Sequence, residues 1–221
     1  MSKLKKIAVP GLIAAAGVAT WIAVDLWRPV SSNLRAFDPE EVARLDTEMW
    51  RSYYDKERIK LFNQLARLLR RQYHMPMARS YLVAFHAAKA AFVFKDGTSR
   101  ADYERALPDV VAYYQAIRNV SQTSFDVNRA AALELEWWIV HRERRGHVEG
   151  DLDRALADLA AEVYRLPAAR FAEHGRYRAE AMSIRDDVAE KGPLSQADWE
   201  KINDLLRRSW LSLWHAVNEP D

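Results

Sequence analysis

The chain has no cysteine, and only seven of its 221 residues are glycine. The first absence excludes disulfides, thiolate metal sites and cysteine nucleophiles. The second leaves no glycine-rich phosphate cradle: there is no GxGxxG, no Walker loop, no GxSxG and no HExxH zinc signature. Glu-x-x-His, on which carboxylate-bridged metal pairs in helical bundles depend, is missing as well. Its nearest approximation, Glu143 and His147, has Gly146 between the two. No serine sits on a recognisable strained turn, so no Ser–His–Asp site can be assembled, and no cofactor is expected. A dominant charge is lacking too. The formal net charge is +2, with cations and acids interspersed, which leaves no nucleic-acid footprint. The local clusters Arg67, Arg70, Arg71 and Arg142, Arg144, Arg145 fit the solvated or dipole-favoured ends of helices.

What is present begins at the N-terminus. The basic run Lys3-Leu4-Lys5-Lys6 precedes Ile7 to Val24, 18 residues without a charge. A hydrocarbon layer of ~30 Å needs ~20 residues at ~1.5 Å each, so the run is about long enough to span it. Trp21 and Trp27 stand at its far end, where interfacial aromatics belong. A cleaved signal peptide is the rival, but the apolar run is long for one. Trp27, Arg28 and Pro29 follow it in place of a small-residue cleavage site. Residues 1–28 therefore read as a single-pass transmembrane anchor, in contact with the bilayer through residues 7–26. The basic flank predicts a cytoplasmic N-terminus and an exported domain, periplasmic or extracellular, and Arg28 and Arg35 weaken that asymmetry.

Residues 29–37 read as a linker and 38–221 as one helical domain of six or seven helices. Nearly half of all residues are hydrophobic, enough for a sizeable core. Asp38-Pro39-Glu40-Glu41 is a helix start, with a capping acid, a proline in the first turn and acids on the positive helix end. The pattern predicts one helix from there to Tyr73, stopped by His74-Met75-Pro76. Met77 to Phe94 is apolar apart from a few residues and predicts a central helix that pairs with it as a hairpin. Helices follow near 99–120, interrupted at Pro108, and near 126–145, 151–166 and 167–190. Ser195, with Asp198 three residues on, opens a last helix lined by Trp199, Ile202, Leu206, Trp210, Leu213 and Val217. No repeat and no alternating strand pattern is visible. The fold class is all-α: a transmembrane helix, then a multi-helix bundle.

Four charges stand out. If 38–73 is one helix, Glu48, Arg51, Asp55 and Arg58 alternate in sign at spacings of three, four and three, in line with the apolar stripe. They form either a surface ladder or a buried polar network, in which each member needs a partner. His86, Glu134 and His141 are candidates for the same network, with Glu134 and Trp138 turned towards the central hairpin. These features favour a membrane-anchored interaction module, or an accessory or structural subunit of a larger membrane-protein complex, with no catalysis of its own. The alternative is a membrane-tethered enzyme or metal-binding protein using Glu48, His86 and Glu134. A carrier of a small ligand or lipid would need a cavity among the aromatic residues.

Overall fold

The computed structural model describes residues 3–220, with side chains from residue 12 onward. The fold is helical throughout. Among the described residues there is no strand, only one isolated bridge between Ser32 and Ser121. The elements are α1 (Lys3–Trp27), α2 (Pro39–Tyr54), α3 (Arg58–Tyr73), α4 (Met77–Asp96), α5 (Arg100–Glu104), α6 (Leu107–Val120), α7 (Val127–Arg142), α8 (Asp151–Tyr164), α9 (Ala172–Ala189) and α10 (Gln196–Asn218). The domain after the linker thus holds nine described helices where the sequence pattern predicts six or seven.

Among the described residues no helix is long and apolar enough to cross a membrane. Ile7 to Gly11, the first part of the expected span, lies outside the described side chains. From Leu12 to Val24 every residue of α1 is exposed.

Eight of the helices close a ring. Each packs on the next along the chain, in the order α2, α3, α4, α6, α7, α8, α9, α10, and α10 returns to α2. Local chemistry sets several ends. The Asp38 carboxylate accepts from the backbone N–H groups of Glu40 (2.9 Å) and Glu41 (3.2 Å). Ser195 and Asp198 form a reciprocal capping box at α10. Where α8 passes α9, a Cβ on Gly175 would sit 2.2 Å from the Asp153 carbonyl, so only glycine allows the approach. Leu34, Leu45, Leu69, Ile117, Phe171, Ile202 and Leu206 are fully buried between the helices. Each such side chain contributes roughly 1.5–3 kcal/mol.

Three expectations are corrected. Residues 38–73 are two helices, broken at Asp55, Lys56 and Glu57. Lys56 takes a left-handed conformation (φ 60°), and the Glu57 N–H turns back to the Ser52 carbonyl at 2.9 Å. Ser52 and Lys60 both donate to the Glu57 carboxylate (3.1 and 2.8 Å), which stabilises the reversal without glycine or proline. The central hairpin is α3 with α4, while α2 lies between α3 and α10. The stretch 29–37 is built into the domain. Leu34 is fully buried, and Phe37 sits edge-on to Trp210 with ring centroids 5.9 Å apart. The Ser32 N–H donates to the Val120 carbonyl (2.6 Å), and the Gln122 N–H donates to the Ser32 carbonyl (2.9 Å).

Candidate functional site

The middle of the ring is polar and aromatic. Asp46 of α2 is fully buried and accepts from the Arg178 guanidinium of α9 (2.6 Å) and the Trp210 indole of α10 (2.9 Å), both on Oδ2. The guanidinium also lies over the rings of Trp50 (5.6 Å) and Trp210 (5.8 Å). Glu134 of α7 accepts from the Tyr114 hydroxyl of α6 (2.6 Å) and the Trp138 indole (2.9 Å). The Trp138 ring meets Phe94 of α4 edge-on at 5.2 Å. Tyr73 of α3 accepts from the Gln72 amide (2.9 Å). Tyr113 of α6 and Tyr164 of α8 complete the cluster, and Tyr113 feels the charges of Glu134, Arg178 and Asp46 together. Seven of the eight ring helices contribute a polar group, and α4 contributes a ring.

Burial governs the ionisation here. It pushes the Tyr73, Tyr113, Tyr114 and Tyr164 hydroxyls well above their ordinary range, and Glu134 adds to the effect on the first three. These phenols stay protonated, and Tyr114 donates to Glu134. Burial opposes the charge on Arg178, but Asp46 beside it, with Glu134, raises it above its usual value. Nearby, His174 donates from Nδ1 to the Ser209 carbonyl (3.0 Å). Burial, and next the charge of Arg178, lower His174 to about 4.

The expected ladder does not exist. Glu48 pairs with Arg44 on the surface of α2. Arg51 stacks over Trp199 at 5.0 Å. Asp55 is exposed at the end of α2, and Arg58, exposed on α3, lies 5.8 Å from the centre of the Phe92 ring. The break at Lys56 turns Arg58 onto a different helix from the other three. His86 faces Asp109 (2.9 Å), which Lys89 also approaches (2.9 Å). His141 lies 3.1 Å from Asp186, which Arg144 (3.2 Å) and Arg185 (2.8 Å) also contact. Burial alone raises Asp186, but the close approach of His141 and the hydrogen bond from Arg185 outweigh it, and the carboxyl falls to about 2. Of the seven named residues, only Glu134 stands in the central network. Glu48, His86 and Glu134 each have separate partners. Among the described residues no three His, Asp or Glu side chains stand where they could hold a metal ion.

Asp46 is the central residue missing from the candidate set. Its signal was available: Val42, Asp46 and Trp50 recur every four residues on one face of α2, which places an acid within an apolar stripe. Arg178 carries a comparable signal, one turn after His174. Two surface clefts, of about 250 Å³ beside Phe92, Gly97 and Asp102 and about 330 Å³ beside Glu40, Arg44 and Arg207, are lined by none of the central residues.

A second constructed feature is where α1 meets the ring. Asp25 is buried, and its Oδ2 accepts from the backbone N–H groups of Ala78 (2.6 Å) and Arg79 (3.3 Å), at the otherwise uncapped start of α4. In return, Arg79 Nη2 donates to the carbonyls of Asp25 (3.0 Å), Leu26 (2.9 Å) and Arg28 (2.8 Å). Orphan donors at one helix start and orphan acceptors at another helix end are thus satisfied by two side chains. Compared with family models, with curated proteins and with solved structures, the chain matches none.

Proposed function

We propose that this protein is a membrane-tethered helical module, held in a bilayer through residues 7–26, which serves a larger membrane complex as an interaction or accessory subunit and carries out no reaction itself. The observation that carries the proposal is α1. Leu12, Ile13 and Val18 are 75%, 68% and 57% exposed on a helix that stands clear of the ring from Leu12 to Val24. An apolar helix in that position needs a cover, and the charge-free run from Ile7 to Val24 supports a bilayer as that cover. Trp21 and Trp27, both exposed, stand near the end where the chain would leave the membrane. The basic residues before the run favour a cytoplasmic N-terminus with the ring on the other side. The non-catalytic part rests on the ring interior. Its principal charged groups, Asp46, Arg178 and Glu134, are engaged with one another or with neighbouring aromatic donors, as in a network that specifies packing.

Membrane fractionation of the full chain tests the tether. The protein stays in the pellet after alkaline carbonate washing and is extracted by detergent. Release by carbonate removes the anchor. Native mass measurement after mild detergent extraction tests the subunit role: a co-purifying membrane protein supports it, and a lone monomer counts against it.

A further inference from the structure

The apolar surface continues beyond the last turn of α1. On α4, Leu82, Phe85 and Phe92 are each about half exposed, as is Met77 at the first position. At ~100° per residue, Leu82, Phe85 and Phe92 fall within an arc of ~80°, with the buried Val83, Ala84 and Ala90 on the other side. Ile59, at the adjoining start of α3, is 82% exposed. From Met77 to Lys95 the helix holds no acid. Of the acids near the stripe, Asp109 is engaged with His86 and Lys89 and Glu57 with Lys60, while Asp96, which ends the helix, and Asp55 are exposed. Lys56 and Arg58 are exposed at the foot of α3, and the Arg58 guanidinium reaches over Phe92.

We propose that the outer face of α4 rests on the same bilayer that holds α1, with Leu82, Phe85 and Phe92 in the boundary between headgroups and acyl chains and with Lys56 and Arg58 against anionic lipid phosphates. Two observations select the bilayer as occupant. The stripe begins where the anchor ends, because Asp25 of α1 holds the N–H groups of Ala78 and Arg79. Half-exposed aromatic and aliphatic side chains with the exposed cations Lys56 and Arg58 beside them are the chemistry of an interfacial helix. The inference rests on the tether proposed above.

The absence of cysteine makes the test direct. Single-cysteine variants of the full chain, Ile13→Cys, Leu82→Cys, Phe85→Cys and Glu180→Cys, are labelled with an environment-sensitive fluorophore. Glu180 is exposed on α9, across the ring from α4. The proteins are reconstituted into phosphatidylcholine vesicles with and without phosphatidylglycerol, carrying nitroxide lipids at shallow or deep positions. The label at position 13 is quenched by deep nitroxides. Labels at 82 and 85 are quenched by shallow nitroxides at least about twofold more than the label at 180, and more strongly with phosphatidylglycerol present. If position 13 is quenched and positions 82 and 85 match position 180, the surface inference fails and the tether stands. If position 13 is not quenched either, both fail. Protection of 82 and 85 from an aqueous quencher without lipid quenching, together with cross-linking between copies or to a co-purified protein, assigns the stripe to a protein and overturns the inference.

Discussion

Removing either half of the Asp46–Arg178 pair strands the other half inside the ring. Asp46 is fully buried and the Arg178 side chain is 16% exposed, so water recovers little of the lost interaction. Asp46→Ala and Arg178→Ala each cost roughly 3–5 kcal/mol, read as a drop in the urea midpoint. The double variant Asp46→Leu, Arg178→Met recovers most of that loss, because it leaves no unpaired charge. Single losses below ~1 kcal/mol would show the pair to be solvated in solution. His174 sets a second expectation, in pH. Its ordinary value is 6.5 and burial brings it to about 4 in the fold, so between those values the unfolded chain binds the extra proton. The stabilisation is complete above about pH 6.5 and declines as the pH falls to about 4, by up to about 3 kcal/mol. Below that, Asp186 extends the decline towards about pH 2, since protonating it removes the attraction of His141, Arg144 and Arg185. Denaturation midpoints of His174→Gln, followed from pH 7 to 4, flatten relative to the parent chain. An unchanged slope would assign the upper part of the decline to other groups.

At the scale of the helix, the break between α2 and α3 sits on a residue unsuited to its conformation. Lys56 at φ 60° bears a Cβ in the left-handed region, a penalty of about 1 kcal/mol that glycine does not have. Lys56→Gly raises stability by up to about 1 kcal/mol, and Lys56→Pro, locked near −65°, lowers it by more than that gain. Equal thermal midpoints for the two variants would mean that the chain does not turn back here. The same residue explains what was legible in the sequence. Helix starts with side-chain caps, Asp38 and the Ser195–Asp198 box, are visible because capping is local chemistry. The Pro76 stop is visible for the same reason. The Lys56 break depends on Ser52 and Lys60 converging on Glu57, a contact with no punctuating residue, so the apolar period runs through it and predicts one helix. The candidate site suffered directly. The ladder from Glu48 to Arg58 required an unbroken helix, whereas Asp46, one turn from both Val42 and Trp50, lies within α2 alone. Glu134 was legible because it interrupts an otherwise apolar face. Its partner Tyr114, 20 residues earlier, comes from tertiary packing that periodicity does not encode.

For the whole molecule, the question is what keeps the ring and α1 in one orientation. The ring closes on itself through α10 and α2, where Arg207 reaches Glu40 (2.5 and 2.7 Å) and Asn203 meets Thr47 (3.1 Å), besides the Asp46–Trp210 bond. With Leu34 and Phe37 built into that closed body, the chain between ring and anchor has little slack, and Asp25 with Arg79 removes most of what is left. Arg79→Met deletes the donor to three carbonyls at the end of α1 while keeping much of the apolar stem. Hydrogen bonds from a charged donor contribute roughly 1.5–3 kcal/mol each, so their loss is enough to free α1 relative to α4. Asp25→Asn retains an acceptor but loses the charge that favours the start of α4, and its effect is correspondingly smaller. The cysteine-free chain allows paired spin labels at Ile22→Cys and Glu180→Cys. In detergent micelles, the distance distribution between them broadens in Arg79→Met and less so in Asp25→Asn, while carbonate resistance of the membrane-bound protein is unchanged. A distribution as narrow as that of the parent chain would mean that the buried stretch from Ser32 to Phe37 alone orients the ring. Loss of carbonate resistance would mean that the ring, and not residues 7–26, supplies the hold on the membrane.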